Sequence, residues 1–382
     1  MNERRLIARF RNDRNGSEVL FAAPRRLIVA WSPDEFDRAL QEIELVRGEG
    51  GWLAGYLSYE AGYLLDPALV DALPEGRRAP LLCFGVFDEP ADMSLDHMDH
   101  QQAGSIAGQH PGWTQSEYER CFSRLHQHLR EGDCYQANLT FPFRARWHGD
   151  PLALFDALRE RQPVRYSAFV DLDGPVVLSR SPELFFKVGR DRWIETLPMK
   201  GTAPRGLTPT DDLARLEGLR HDPKNQAENR MIVDLLRNDI SRISEVGTLE
   251  VPELFRIETY PTVHQMVSHV RARLRPEIGL PEIMAALFPC GSITGAPKMW
   301  AMRILHELED RPRDAYCGAI GWCDPKGPMQ FSVAIRTLTL FNGGDAVFNV
   351  GGGIVFDSTA EAEYQECLLK AQFAVGNQAI SR

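Results

Sequence analysis

Residues 165–197 have the sequence RYSAFVDLDGPVVLSRSPELFFKVGRDRWIETL, which contains two predicted β-hairpins in succession. Asp173 and Gly174 join two apolar runs, and Gly189 separates two further runs of the same kind. A short glycine-containing turn between strand-like runs favours antiparallel pairing of those runs. Successive hairpins, rather than strand–helix–strand units, predict an α+β fold with antiparallel sheets covered by helices.

Helical and strand patterns alternate irregularly on the C-terminal side of these hairpins. Apolar residues recur at helical spacing in 222–239, 295–310 and 359–375, which predicts three amphipathic helices. Residues 329–355 instead predict two long strands around an Asn-Gly-Gly turn. Arg336 lies inside the first of these apolar strands, so its side chain must reach solvent, pair with a carboxylate or bind an anion.

Length and charge limit the classes of protein to which the chain can belong. Its 382 residues suffice for two ordinary domains or one unusually large one. A hydrophobic content of 43%, a charged content of 25% and a net charge of −10 are typical of a globular protein that does not bind nucleic acid or anionic membranes non-specifically. An anionic substrate would therefore need cationic side chains or a metal ion in its site.

Cysteine usage and hydropathy indicate the compartment. The seven cysteines are odd in number, scattered and free of C-x-x-C spacing, which favours reduced thiols and excludes a zinc motif. The N-terminus lacks an apolar signal core, and the chain contains no run of about eighteen apolar residues. These features predict a soluble, cytoplasmic protein.

A polar segment divides the chain. Residues 89–112 are rich in Asp, His, Gln and Gly and show no apolar period, which indicates a linker. The predicted divisions are a smaller N-terminal segment, 1–88, a large C-terminal region, 113–375, and a tail, 376–382.

Two groups of residues are candidates for catalysis or ligand binding. For each group, sequence spacing alone does not decide between a structural and a functional role. Lys200, in the stretch LPMKGTAPRG, is either a solvated loop lysine or a nucleophilic or anion-binding amine. Glu363 and Glu366 lie at i and i+3 on the last predicted helix with Lys370 one turn further on. They form either a solvated helix face or part of a Mg²⁺ site, since hard cations prefer carboxylate oxygens.

The motifs taken together resemble one family. The segments SRSPELFF, LPMKGTAPR, AENRMIVDLLRNDISR, YPTVHQMVS, FPCGSITGAPK, YCGAIGW, FSVAIRTL, GGGIV and EAEYQECLLKAQ occur in order over residues 113–375. This region is similar to the chorismate-utilising enzymes, which include anthranilate, aminodeoxychorismate, isochorismate and salicylate synthases. GYLSYEAGY, at 55–63, resembles the smaller N-terminal segment of the members that add an amino group. The resemblance implies the fold of anthranilate synthase component I, with large antiparallel sheets packed face to face and flanked by helices.

The resemblance also implies a site. Chorismate would bind with Mg²⁺ on its ring carboxylate, and Glu183 would be the general acid that protonates the departing 4-hydroxyl. The metal ligands would be Glu228 and Glu366, with Glu363 acting through water. The residues expected to bind substrate are Tyr316, Arg336, Gly352 and Gly353 at the enolpyruvyl carboxylate, Thr294, Gly295 and Lys370 near the metal-bound end, and Gln136, Gly201, Thr202 and His264.

Two positions subdivide the family. The resemblance places Gln136 at the position of the lysine base in the members that add water. The neutral amide at this position disfavours isochorismate and salicylate formation. The resemblance places Lys200 at a position where anthranilate synthases have alanine. The resemblance is therefore strongest to the aminodeoxychorismate synthases, in which this lysine would attack C2 of the ring before ammonia enters at C4. The product, 4-amino-4-deoxychorismate, would serve para-aminobenzoate and folate biosynthesis. Such a lysine needs a lowered pKa.

Two other functions remain as alternatives. The nearest is that of anthranilate synthase component I, which also eliminates pyruvate. The second is a non-catalytic, chorismate-like ligand binder or a scaffold. A glutaminase needs a cysteine nucleophile with a histidine base, and none of the cysteines matches that pattern. The ammonia is therefore expected from solution or from a separate glutamine amidotransferase subunit.

Overall fold

The computed structural model describes residues 6–92, 102–260 and 263–375. Across these ranges the chain forms nineteen strands and eight α-helices. The strands are β1 (Ile7–Arg11), β2 (Glu18–Ala22), β3 (Arg26–Ala30), β4 (Trp52–Leu57), β5 (Leu82–Phe87), β6 (Ser105–Pro111), β7 (Gln136–His148), β8 (Tyr166–Asp171), β9 (Val176–Ser181), β10 (Leu184–Val188), β11 (Trp193–Thr196), β12 (Met199–Pro204), β13 (Glu250–Thr259), β14 (Val263–Arg273), β15 (Gly295–Ala296), β16 (Ala319–Cys323), β17 (Met329–Val333), β18 (Thr337–Leu340) and β19 (Asp345–Ile354).

The helices cover the outer faces of the strands. Within the described ranges, none is long and apolar enough to cross a membrane. They are α1 (Pro33–Gly48), α2 (Gln115–Glu131), α3 (Pro151–Arg161), α4 (Pro209–His221), α5 (Pro223–Ser241), α6 (Leu280–Leu287), α7 (Lys298–Leu308) and α8 (Ala360–Val375).

The strands form two antiparallel sheets. The first has the order β15-β7-β19-β18-β9-β8-β1-β2, with β6 also paired to β7. The second has the order β12-β14-β11-β10-β17-β16-β4-β5-β3, with β13 also paired to β14. The predicted α+β class with large antiparallel sheets is confirmed.

The two predicted hairpins form as the turn residues require. β8 and β9 pair so that Val170 lies opposite Val177, and Gly174 between them has a φ of +133°. β10 and β11 pair beyond Gly189, and Arg192 in that turn has a φ of +64°. Positive φ is easy for glycine, which accounts for Gly174, whereas in the second turn the positive φ is on Arg192 and not on Gly189.

Apolar side chains fill three layers. Between the sheets, Phe10, Val170 and Val177 of the first sheet pack in one cluster with Tyr56 and Ile320 of the second. Helices α1, α5 and α6 bury their apolar faces on the outer side of the second sheet, and α2, α3, α7 and α8 on that of the first. The sheets therefore pack face to face between two helical layers.

The apolar run at 329–340 differs from its prediction as one long strand. β17 ends at Val333 in the second sheet, and β18 begins at Thr337 in the first. Between them Arg336 has a φ of +50°, and its carbonyl accepts a hydrogen bond from the Arg180 N–H. The prediction of a continuous strand is wrong, because side-chain alternation does not show that a strand changes partners. Arg336 thus lies where the chain crosses between sheets.

The predicted linker contains a strand in its second half. Residues 93–101 and the tail, 376–382, lie outside the described residues, but β6 pairs with β7 at the edge of the first sheet. β6 is largely exposed, so its sequence carries no apolar alternation. The five strands of the N-terminal segment divide between the sheets: β1 and β2 join the first, and β3, β4 and β5 join the second. The division into segments stays a prediction.

Candidate active site

Lys200 lies on an irregular edge strand of the second sheet. β12 pairs with β14, but the register shifts between Met199 and Thr202, and Gly201 has a φ of +94°. A Cβ on Gly201 would lie 3.0 Å from Asn225 Oδ1 on α5, so this position needs glycine for both conformation and space. Asn229 Nδ2, also on α5, donates to the Lys200 carbonyl at 3.5 Å. The backbone of the lysine is therefore held by the helix beside it.

The Lys200 amine is half-buried and has no hydrogen-bond or ion-pair partner within the described ranges. Burial, and secondly the positive charge of Lys370, lower its pKa. A Cβ on Gly353 of β19 would lie 3.1 Å from Lys200 Nζ and 3.0 Å from Gln136 Nε2. Bare backbone at Gly353 thus lets an amine and an amide meet in the cleft. Gln136 Nε2 is itself buried without a hydrogen-bond partner.

Glu183 supplies a carboxyl group whose pKa is raised, whereas the pKa of the Lys200 amine is lowered. It lies in the turn between β9 and β10 and is only 5% exposed. Ser292 Oγ donates to Glu183 Oε1 at 2.7 Å. Burial raises the pKa of Glu183 to about 7, against the opposing effects of Ser292 and Lys200. A carboxyl with this pKa is partly protonated near neutrality and can donate a proton.

Ser292 was not among the predicted site residues. Its only signal was its place in the glycine-rich segment GSITG, and the long-range contact with Glu183 could not be inferred from that segment. Asn229 was also missed, because an asparagine next to Glu228 on a predicted helix resembles any polar surface residue.

Two glutamates, one on α5 and one on α8, act electrostatically on Lys200. Helix α5 begins where the pattern predicted, since the Asp222 side chain accepts from the N–H of Asn225 and Pro223 occupies the first turn. It carries Glu228, whose charge acts on Lys200 together with that of Glu366 from α8.

Lysines balance the carboxylates on α8. Lys370 Nζ lies 2.7 Å from Glu366 Oε1 and donates to the Gly351 carbonyl at 2.8 Å. Against the opposing effect of burial, Lys370 lowers the pKa of Glu366. Glu363 accepts from Ser358 Oγ at 2.7 Å, and burial raises its pKa.

Gly352 and Lys224 complete this end of the cleft. A Cβ on Gly352 would lie 2.8 Å from Glu363 Oε2, so only glycine lets that carboxylate approach the strand. Lys224, in the first turn of α5, acts electrostatically on both Glu363 and Glu366. Sequence analysis missed Lys224, which resembles an ordinary first-turn residue.

The oxygens of Glu228, Glu363 and Glu366 do not all lie within 4.8 Å of one another. In the described part of the chain, the cluster that meets this distance is instead His128, Glu131 and Asp133, around the C-terminal end of α2. The donor type at the cleft nevertheless suits a hard cation, because all three glutamates offer carboxylate oxygens. Lys224 and Lys370 now provide the positive charge that such a cation would supply.

Arg336 provides an uncommitted cation that interacts electrostatically with Tyr260 and Tyr316. Its guanidinium has no hydrogen-bond or ion-pair partner in residues 6–92, 102–260 and 263–375. Burial lowers its pKa, while Tyr260 and Tyr316 oppose that effect. Tyr316 is itself 6% exposed. Arg336 is half-buried, and a guanidinium without a carboxylate partner is available to bind an anion.

Four predicted substrate ligands are committed to contacts within the protein. His264 is fully buried, with one ring nitrogen 3.0 Å from Thr259 Oγ1 and the other 2.9 Å from Asp212 Oδ1. The remaining contacts are Thr294 Oγ1 to the Cys290 carbonyl at 3.0 Å, Thr202 Oγ1 to Gln265 Oε1 at 3.2 Å, and Gly295 to Ala137 in the pairing of β15 with β7. Their roles as ligands stay predictions.

The arrangement therefore combines an amine of lowered pKa, a carboxyl of raised pKa, an unpaired guanidinium and a group of carboxylates. An uncharged amine is a nucleophile, and a protonated carboxyl can assist a leaving oxygen. The guanidinium and a carboxylate-bound cation could each hold one carboxylate of a dianionic substrate.

Comparisons with known proteins agree on one family. The family described as chorismate binding enzyme matches residues 7–376. Aminodeoxychorismate synthase component 1 of Klebsiella aerogenes is 46% identical over 253 residues, which cover 66% of this chain and 56% of that protein. The match therefore spans little more than half of that relative. Anthranilate synthase component 1 of Methanothermobacter thermautotrophicus is 35% identical over an alignment of 383 residues, covering 93% of this chain and 80% of that protein.

Solved structures share the fold. Anthranilate synthase component I from Streptococcus pneumoniae superposes with a TM-score of 0.75 at 25% identity, covering 97% of this chain and 92% of that one. A putative 2,3-dihydroxybenzoate-specific isochorismate synthase from Bacillus anthracis gives a TM-score of 0.77 at 19% identity, covering 100% of this chain and 98% of that one.

Proposed function

The chain belongs to the family of chorismate binding enzymes, and from this premise we propose that it converts chorismate and ammonia to 4-amino-4-deoxychorismate. The observation that carries the proposal is the Lys200 amine, which has no partner in the described structure and which, like the Gln136 amide, lies close to the bare backbone of Gly353. A neutral amide at 136 cannot activate water, whereas an amine of lowered pKa can attack carbon.

In the first step the neutral Lys200 amine forms a bond to C2 of the ring. The two ring double bonds shift, the C4–O bond breaks, and the hydroxyl leaves as water with the proton of Glu183. In the second step ammonia forms a bond to C4, the double bonds shift back, and the C2–N bond to Lys200 breaks. The surplus proton of the incoming nitrogen returns to Glu183, so the acid and the amine are both regenerated.

Arg336 and the carboxylates would orient the substrate. Arg336 would bind the enolpyruvyl carboxylate, because it is half-buried and has no carboxylate partner in the described ranges. Glu228, Glu363 and Glu366 would hold Mg²⁺, which would neutralise the ring carboxylate. Fixing both carboxylates places C2 beside the lysine, which is the main contribution that positioning makes to such a reaction.

The ammonia source is proposed to be a separate subunit. Two of the relatives are named as component 1 of their synthases, which supports a second component here. We infer a glutamine amidotransferase partner, a cytoplasmic location that is favoured by the odd number and scatter of the seven cysteines, and a role in para-aminobenzoate and folate biosynthesis.

Mass spectrometry of the product tests the proposal. Incubation of the purified chain with chorismate, Mg²⁺ and ammonium should give 4-amino-4-deoxychorismate, whereas glutamine in place of ammonium should give product only when the partner is added. Anthranilate as the main product would instead favour the activity named for the Methanothermobacter relative. Absence of any reaction would favour a binding protein.

Replacing the proposed metal ligands should weaken the dependence on Mg²⁺. Glu228→Gln and Glu366→Gln should each raise the half-saturating Mg²⁺ concentration by about tenfold or more, because a neutral amide is a poor ligand for a hard dication. Glu361→Gln, on the exposed first turn of the same helix α8, is the matched control. Unchanged half-saturation in both site variants would remove these residues from the metal site.

Ser292 should set the pH at which activity declines. Because its hydroxyl hydrogen-bonds the Glu183 carboxylate, Ser292→Ala should raise the pKa of Glu183 and move the alkaline limb of the pH–rate profile upward by roughly one pH unit. Ser332→Ala removes a buried hydroxyl bonded only to a backbone carbonyl and should leave the limb in place. An unmoved limb in Ser292→Ala would mean that this hydrogen bond does not tune the acid.

A further inference from the structure

A cavity of about 270 Å³ lies on the inner face of the first sheet, away from Lys200. Strands β7, β18 and β19 form one side, and residues 311–316 with Arg78 form the other. The glutamates and the lysine of the proposed reaction do not line it, but Tyr316 does. The cavity is therefore distinct from the residues around Lys200, and its lining residue Tyr316 interacts electrostatically with Arg336.

An unsatisfied amide points into this cavity. Asn349 lines it and is only 7% exposed, and its Oδ1 has no hydrogen-bond partner. Along β19 the neighbours Phe348 and Val350 pack under the outer helices, so Asn349 projects from the opposite face. Buried side-chain amides are nearly always hydrogen-bonded, so this one requires a partner that enters the cavity.

Two guanidinium groups at the cavity are free of strong ion pairs. Arg144 on β7 is exposed, lies opposite Val347, and has no partner in the described portion of the chain. Arg311 has only a 3.8 Å contact with the exposed Asp310. Arg313, by contrast, is buried and committed to an ion pair within the fold.

The negative charges of the lining are already engaged. Asp345 forms ion pairs with Arg78, at 3.2 Å, and with Arg146. Asp314 accepts hydrogen bonds from the backbone N–H groups of Arg78 and Ala79 at 2.9 and 3.0 Å. The uncompensated charge at the cavity is therefore positive, which favours an anionic ligand.

The spacing of the polar groups limits the ligand further. Asn349 is opposite Pro142 and Arg144 is opposite Val347, so Asn349 and Arg144 are diagonal neighbours, about 7–8 Å apart between backbones. One six-membered ring with polar groups at its two ends can span that separation. Phe341, Pro142 and Val347 supply apolar surface beside it.

We propose that this cavity binds a small cyclic monocarboxylate, with its carboxylate toward Arg144 and Arg311 and a polar substituent toward Asn349. Charge-assisted hydrogen bonds to the guanidinium groups would provide affinity, and the amide would select for the substituent. Because Tyr316 lines the cavity and also acts electrostatically on Arg336, an occupied cavity would alter the environment of the group proposed to bind the enolpyruvyl carboxylate.

Calorimetric titration of the purified chain with 4-hydroxybenzoate tests the proposal without measuring catalysis. Saturable binding with a Kd of about 1 mM or tighter is expected. Arg144→Gln and Asn349→Leu should each weaken it about tenfold. Arg190→Gln, at an exposed turn outside the lining, should leave it unchanged. Asn349→Leu keeps the branching and the number of heavy atoms of the side chain, so its fold should be preserved.

The variant Arg336→Gln distinguishes binding of the probe in this cavity from binding in the chorismate cleft. If the probe binds here, Arg336→Gln should retain wild-type affinity. Loss of binding in Arg336→Gln with unchanged binding in Arg144→Gln would place the probe in the chorismate cleft and overturn the proposal. Failure of the wild-type chain to show saturable binding would overturn it as well.

Discussion

Lys200→Ala is expected to reduce formation of 4-amino-4-deoxychorismate at least about a thousandfold while leaving the protein folded. The loss follows from removal of the only group proposed to form the covalent bond to C2. The amine has no hydrogen-bond or ion-pair partner within the described residues, so its removal should change the free energy of unfolding by no more than about 0.5 kcal/mol.

Intact-protein mass spectrometry adds a readout that turnover alone cannot give. With chorismate and Mg²⁺ but no ammonia, the wild-type protein should accumulate a covalent adduct equal to chorismate less water, and Lys200→Ala should not. Lys187→Ala removes an exposed lysine paired with Glu195 on a neighbouring strand and should behave as wild type. Wild-type turnover in Lys200→Ala would exclude the covalent role.

Glu183→Gln should lower the rate by about a hundredfold to ten-thousandfold, because an amide cannot donate the proton that the departing hydroxyl needs. In the wild-type protein the rate should fall as the pH rises through about 7, the pKa of Glu183, because the acid is then lost. Neutral Lys200 is also required, so the rate should fall again at low pH. The alkaline limb should disappear in Glu183→Gln.

Stability provides an independent test of the same group. The pKa of Glu183 is raised in the folded protein, so the folded state binds more protons than the unfolded state between the ordinary glutamate pKa and about 7. The free energy of unfolding should therefore decrease by roughly 3 kcal/mol as pH rises through that window. This contribution should be absent in Glu183→Gln and present in Glu195→Gln. If urea denaturation shows the same pH dependence in Glu183→Gln and wild type, the carboxyl is not perturbed.

Local patterns predicted the features that depend on neighbouring residues. The Asp173-Gly174 and Gly189 hairpins and the start of α5 at Asp222 are confirmed, since turn and capping chemistry acts over a few residues. The family resemblance is also confirmed, because it rests on motifs kept in order along the chain.

Features that depend on distant partners could not be predicted in this way. The change of sheet before Arg336 depends on which strands lie beside β17 and β18, and an apolar run looks the same in either sheet. The contact between Ser292 and Glu183 joins residues 109 positions apart. His264 resembled a ligand by its place in a motif, but both its nitrogens bond within the fold.

The placement of the N-terminal strands has a consequence for biosynthesis on the ribosome. Tyr56 of β4 pairs with Ile320 of β16, which is translated 264 residues later. At about 5–20 residues per second, β4 must wait roughly 13–50 s for that neighbour. During this interval the apolar strands β3, β4 and β5 can form only a partial sheet with an open edge. Such edges promote aggregation, so the nascent chain should depend on chaperone binding until β16 emerges.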